Sequence, residues 1–117
     1  AASLVNKDGK VVAPTAESFA AAAASADWSA KPGMGISLNN QAGEKTWPIT
    51  GATFILMHKK VDNASKSAEV LKFFDWALTK GQPQASALEY IPLPDAVVAK
   101  IKESWKQITD ASGKPVI

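Results

Sequence analysis

Residues 52–57, Ala-Thr-Phe-Ile-Leu-Met, limit what this chain can fold into more than any other stretch. Every residue there except Thr53 is apolar, and Thr53, Phe54 and Ile55 are β-branched or aromatic. A half-exposed strand would alternate apolar and polar side chains. An unbroken short run fits a strand buried on both faces, as in a parallel sheet covered by helices. Thr53, Ile55 and Met57 would then point to one face, and Ala52, Phe54, Leu56 and His58 to the other. The same run also fits a buried helical segment of similar length. Upstream, Pro48 has no N–H and pushes Trp47 into an extended conformation, so ladder pairing weakens there. Gly51 adds a flexible point just before the apolar run. Entry to the strand is therefore expected as a bend, and its middle as core.

The 117 residues amount to one domain by length, and an apolar content of 46% is ordinary for a globular protein. Thirteen basic residues against eleven acidic give a net charge of +2. That excess is small and dispersed, with no cluster of cations interleaved with aromatics, so nucleic acid is not an expected partner. Every basic residue is Lys; no Arg is present to supply the bidentate fork on which phosphate and carboxylate sites often depend. There is no Cys, which removes disulfide and thiol chemistry. No apolar run approaches the ~20 residues that cross a bilayer. The chain starts without an initiator Met or a signal peptide, as a mature exported protein or an internal fragment would.

Along the chain, Leu4-Val5 and Val11-Val12 flank a turn cluster, Asn6-Lys7-Asp8-Gly9-Lys10, which predicts a small hairpin. Thr15 is placed to cap a helix running through Phe19 and the alanines at 20–24, with Glu17 near its positive end. Asp27 to Gly35 reads as loop, broken at Pro32-Gly33, with Trp28 plugging it to the core. Gly35 to Leu38 predicts a short strand, and Asn39 to Thr46 a polar loop. Asn63 to Ser67 is rich in capping residues and opens a helix to Lys80. Val70, Leu71, Phe74, Ala77 and Leu78 form its apolar stripe, widened by Phe73 and Trp76, with Lys72, Asp75 and Thr79 nearest solvent. Gly81 stops it. Gln84 to Glu89 predicts a short helix, Tyr90 to Pro94 an extended link, and Asp95 the start of a last helix lined by Val97, Val98, Ile101, Trp105 and Ile108. Asp110 to Lys114 is a further turn.

This inventory is unbalanced. Amphipathic helices and a two-faced strand require a sheet of several strands, yet only one strong strand is visible. A buried strand without neighbours leaves backbone groups unsatisfied, at ~1–3 kcal/mol each. The pattern is that of part of an α/β protein whose remaining strands lie elsewhere.

Chemistry-bearing motifs are few. His58 is the one histidine, with no second His, Cys or carboxylate at ligand spacing beside it, so neither a metal site nor a general base is expected. The serines lack a Gly-x-Ser-x-Gly setting. Glu44 and Glu89 are candidate paired carboxylates that nothing in the sequence brings together. Gly33-Met34-Gly35 lacks the length and the Lys-Ser/Thr ending of a phosphate loop. Trp28, Trp47, Trp76 and Trp105 are the stacking candidates; the last two fall on or beside helical stripes, where packing accounts for them. The residues point to no catalytic centre, no metal and no cofactor.

Several blocks in order carry a resemblance: Trp47-Pro-Ile-Thr-Gly-Ala-Thr-Phe-Ile-Leu-Met-His58, Val70-Leu-Lys-Phe-Phe-Asp-Trp-Ala77, Tyr90-Ile-Pro-Leu-Pro94 and Ser112-Gly-Lys-Pro115. Pro14-Thr15 with the Phe19 helix and Ala26-Asp27-Trp28 extend it over essentially the whole chain. These blocks resemble the C-terminal third of the periplasmic phosphate-binding proteins that serve high-affinity phosphate ABC importers. The resemblance implies an α/β, two-lobed Venus-flytrap fold, type II-like. Residues 1–47 would close one lobe and 52–117 the other, with Pro48, Ile49, Thr50 and Gly51 as the interlobe hinge. It implies a non-enzymatic periplasmic receptor whose partners are inorganic phosphate, the membrane permease and the N-terminal part of the same protein. The family's phosphate-holding motifs lie in that N-terminal part, so no phosphate-binding residue is assigned to this chain. A free-standing protein-interaction module using exposed tryptophans and an open sheet edge is the alternative.

Overall fold

In the computed structural model, which describes residues 1–117, the turn cluster at 6–10 closes the hairpin that the sequence predicts. Strands β1 (Leu4–Val5) and β2 (Val11–Val12) pair antiparallel, with Leu4 opposite Val12 and Val5 opposite Val11. Gly9 takes φ 76°, a left-handed position that costs glycine nothing, and its N–H donates to the Asn6 carbonyl at 3.0 Å. Helix α1 spans Ala16–Ser25. Its cap is Thr15, as expected, but the capping box closes on Ser18. Ser18 N–H donates to Thr15 Oγ1, and Thr15 N–H donates to Ser18 Oγ, so two orphan donors are satisfied reciprocally.

Two compact units make up the chain, Ala1–Thr53 and Phe54–Ile117. In the first, the small side chains of Ala22, Ala23 and Ala26 are buried together with Trp28 and Leu38. Trp28 plugs the loop as predicted: it is 4% exposed and its indole N–H donates to the Ala23 carbonyl at 2.9 Å. A 3-10 turn over Pro32–Met34 marks the expected break.

The second unit holds α2 (Ala64–Leu78), α3 (Gln82–Ala87) and α4 (Asp95–Ser104). Asn63 caps α2, accepting from Lys66 N–H at 3.1 Å. The core joins Val61, Leu71, Trp105 and Ile108, with Met57, Phe74, Leu78, Ile101 and Val116 packed against it. Val97 and Val98 of α4 are buried, so the predicted face of the last helix is its inner face. That face outlasts the α-helix, because Trp105 opens a 3-10 turn (Trp105–Gln107) and Ile108 follows it. Helix α2 ends at Leu78 with Thr79 as its cap, short of the expected Lys80, so Gly81 is not its stop but a close approach beyond its end. Its φ of −81° suits any residue, but an added Cβ would lie 3.0 Å from the Ala77 Cα and carbonyl oxygen.

Several expectations are corrected. Residues 52–57 belong to no strand, and Ile55 and Leu56 are exposed, Leu56 at 91%. The only two strands of the chain pair with each other, so no neighbour remains to form a ladder with this run. No parallel sheet forms either. Its counterpart is one parallel bridge, Lys60 to Thr109, in which Val61 N–H donates to the Thr109 carbonyl and Thr109 N–H to the Lys59 carbonyl. An antiparallel bridge from Thr109 to Pro115 adjoins it. Gly35 to Leu38 is not a strand; Leu38 is buried from a loop instead. The short helix begins at Gln82 rather than Gln84, with Pro83 in its first turn where a missing N–H costs nothing. Phe73 and Trp76 do not widen the buried stripe of α2; both are exposed. Asp75, expected in solvent, is half-buried and paired with Lys102, Nζ to Oδ1 2.8 Å, off hydrogen-bond alignment.

Candidate functional site

Trp47–Thr50, the segment that carries three of the four predicted hinge residues, is tethered to α1 and to the 39–40 turn. Trp47 N–H donates to the Ser18 carbonyl at 3.0 Å, and its ring meets Phe19 edge-on at a centroid distance of 5.8 Å. The Pro48 carbonyl accepts from Asn40 N–H at 2.9 Å. Thr50 N–H donates to Asn39 Oδ1 at 3.1 Å. Asn40 sits at φ 54°, a left-handed conformation that asparagine tolerates better than most residues. Pro48, Ile49 and Thr50 are thus fastened to the first unit by the first turn of α1 and by the 39–40 turn. Ile49 is exposed, and Gly51 follows with open space where a Cβ would stand.

Asn39 and Asn40 are the residues that sequence reasoning missed. The available signal was an Asn-Asn pair, a turn-forming dipeptide, eight residues ahead of Trp47-Pro48 within a loop read only as polar. Nothing local announces that its amide and carboxamide groups close on Pro48 and Thr50.

His58 is exposed, and no group of three or more His, Asp or Glu stands at metal-ligand distances. Glu44 and Glu89, the candidate pair, fall in different units. In the second unit an open depression of about 330 Å³ is lined by Asp75, Lys102, Trp105, Lys106 and Ile117. Its two ammonium groups face carboxylates already: Lys102 pairs with Asp75, and Lys106 with Glu103 at 2.9 Å. An anion entering there would compete with both, so the depression presents little uncompensated positive charge. One first-turn amide in each of α1 and α2, Ser18 and Lys66, is likewise engaged by the cap side chains of Thr15 and Asn63. Asp110 has a displaced titration. Its carboxylate accepts from the Ser112 hydroxyl at 2.6 Å and from the Lys114 amide at 3.0 Å, which holds its pKa below the usual carboxylate range. It organises the 110–114 turn and does not line the depression.

What the chain's chemistry leaves open, its relatives address. The phosphate-binding protein PstS of Haemophilus influenzae is 52% identical over 104 residues, which are 89% of this chain and 31% of that protein. PstS of Pasteurella multocida is 46% identical over 114 residues, 97% of this chain and 33% of that protein. This chain is similar to phosphate-binding proteins along nearly its whole length. The resemblance read from the sequence therefore holds. PstS of Xylella fastidiosa gives 45% identity over 102 residues, again with only 28% of that protein covered. The chain spans about a third of the length of these PstS relatives. No protein-family model matches it. No helix is long and apolar enough to cross a membrane.

Proposed function

We propose that this chain is the C-terminal part of a two-lobed periplasmic receptor, a binding protein rather than an enzyme. That receptor captures inorganic phosphate and delivers it to the permease of an ABC importer. The observation that carries this reading is the 52% identity to a phosphate-binding protein, sustained over 89% of the chain. Residues 1–47 complete one lobe, 48–51 cross between lobes, and 52–117 complete the other. The boundary between the two compact units, at Thr53–Phe54, supports a crossing in this neighbourhood. So does the change from a tethered Pro48–Thr50 to an open Gly51. The role of these residues is scaffold and hinge. A desolvated phosphate needs convergent N–H and hydroxyl donors and usually a guanidinium, and this chain has no Arg. Its ligands therefore come from the N-terminal part. A free-standing interaction module has no comparable observation behind it.

Calorimetry with phosphate at neutral pH tests the reading. The full polypeptide is expected to bind saturably at micromolar ligand, and residues 1–117 alone are expected not to. An inert full polypeptide overturns the receptor assignment; saturable micromolar binding by residues 1–117 overturns the scaffold role.

A further inference from the structure

Helix α2 carries large aromatics on the side opposite its core stripe, next to an exposed Glu69–Lys72 ion pair. Leu71, Phe74 and Leu78 face the core of the second unit. Phe73 stands two positions after Leu71, ~200° around the helix, and Trp76 lies three further on, on the same side as Phe73. Phe73 is 60% exposed and Trp76 46%. Their rings adjoin, with centroids 6.3 Å apart, and Phe73 also meets Phe74 edge-on at 5.3 Å. The Trp76 ring leans over Gly81, where an added Cβ would lie 3.2 Å from it, so the aromatic surface continues to the end of the helix.

A helix that bounds a domain is polar on its outer side, whereas one that is apolar all round lies between two layers. The outer side of α2 falls between these cases: beside an exposed Glu69–Lys72 ion pair it carries two adjoining large aromatics open to water, more apolar surface than a solvent-facing helix side needs. The 117 residues cover 31% and 33% of the two relatives described first, which leaves about two thirds of such a polypeptide to supply the second layer. In layered α/β architectures the other elements of the same chain cover a helix in this position. We propose that the Phe73–Trp76 side of α2 is the docking surface for the remainder of the same polypeptide. The proposal rests on the reading of this chain as part of a longer receptor.

Hydroxyl-radical labelling of the full polypeptide, read by mass spectrometry without phosphate, tests it. The buried Trp105, 9% exposed, serves as internal reference. The expected result is that Trp76 labels as slowly as Trp105 in a sample shown by sedimentation to be monomeric. Faster labelling of Trp76 overturns the proposal. Protection that disappears on dilution assigns the face to a second copy and overturns it too, as does a native protein no longer than these 117 residues. A polypeptide that protects Trp76 but fails to bind phosphate overturns the receptor reading alone and leaves the docking surface standing.

Discussion

The side-chain amide of Asn6 donates to the carbonyl of Glu44 at 2.8 Å, joining two loops that lie 38 residues apart in sequence. The same nitrogen lies within bonding distance of the Gly43 and Thr46 carbonyls, at 3.1 and 3.2 Å. The side-chain oxygen of Asn6 accepts from the amides of Asp8 and Lys10. Asn6 is only 6% exposed, so one carboxamide both closes the hairpin turn and pins the 43–46 loop against it.

Asn6→Ala should therefore destabilise the first unit by about 1–3 kcal/mol, because the buried Thr46 carbonyl and the half-buried Gly43 carbonyl lose their donor. Urea unfolding of the full polypeptide measures the loss. Amide exchange should quicken at Lys10 and around Gly43–Thr46 before it does in the second unit. A stability unchanged by the substitution would show that water replaces the carboxamide.

Glu89 offers the opposite sign. It sits at φ 64°, just past α3, while Tyr90 N–H donates to the Ala85 carbonyl and Glu89 N–H to the Ser86 carbonyl. That is the Schellman pattern, whose left-handed position glycine occupies without strain. Glu89→Gly should stabilise the chain by about 0.5–1 kcal/mol. Relief of the left-handed penalty, ~1–2 kcal/mol, is partly offset by the freer unfolded chain. A lowered urea midpoint in this variant would show that the Glu89 side chain contributes more than its backbone strain costs.

Asp110 sets a pH expectation. The Ser112 hydroxyl, first, and the Lys114 amide favour its ionised form, so its folded pKa is depressed. A depressed folded pKa means that the turn's contribution is present above the unfolded pKa and is lost as pH falls through the folded one. Neutral conditions should leave the turn intact, and its loosening belongs to the acid range below the ordinary Asp value. A carboxyl-detected NMR titration should find Asp110 below the ordinary Asp value. Ser112→Ala should move it back up; a titration unmoved by that change would assign the shift to the backbone donors instead.

The sequence made local structure legible and left distant pairing hidden. Thr15, Asn63, the 6–10 turn and the 110–114 turn were readable because each is closed by groups within a few residues of itself. The 52–57 strand was a sound reading of composition, but a strand exists only through partners, and residues 1–117 bring none to it. The helical period of α2 correctly located Leu71, Phe74 and Leu78 inside. It misplaced Phe73 and Trp76 because apolar character alone does not say which side chains face the layer that is present. The tethers on Pro48 and Thr50 were invisible for the same reason as those of Asn6: both depend on loops meeting across the unit.

Those tethers shape the last prediction, which concerns Gly51. Pro48 and Thr50 are held by Asn40 and Asn39, whereas a Cβ added at Gly51 would touch nothing within 4 Å. Gly51→Val should then leave folding stability within about 0.5 kcal/mol, as substitutions free of contacts generally do. Valine nevertheless narrows the backbone freedom of the position and stiffens the chain just beyond the tethered segment. If 48–51 is the interlobe crossing, the full polypeptide carrying Gly51→Val should close at a changed rate or to a changed extent when phosphate is added. Asn39→Ala should act through the same crossing from the other side, by releasing the Thr50 amide. A fluorophore pair across the cleft, followed by stopped flow, reads both. Closure kinetics identical to the unsubstituted protein in both variants, with the urea midpoint of Gly51→Val also unmoved, would place the pivot elsewhere in the chain.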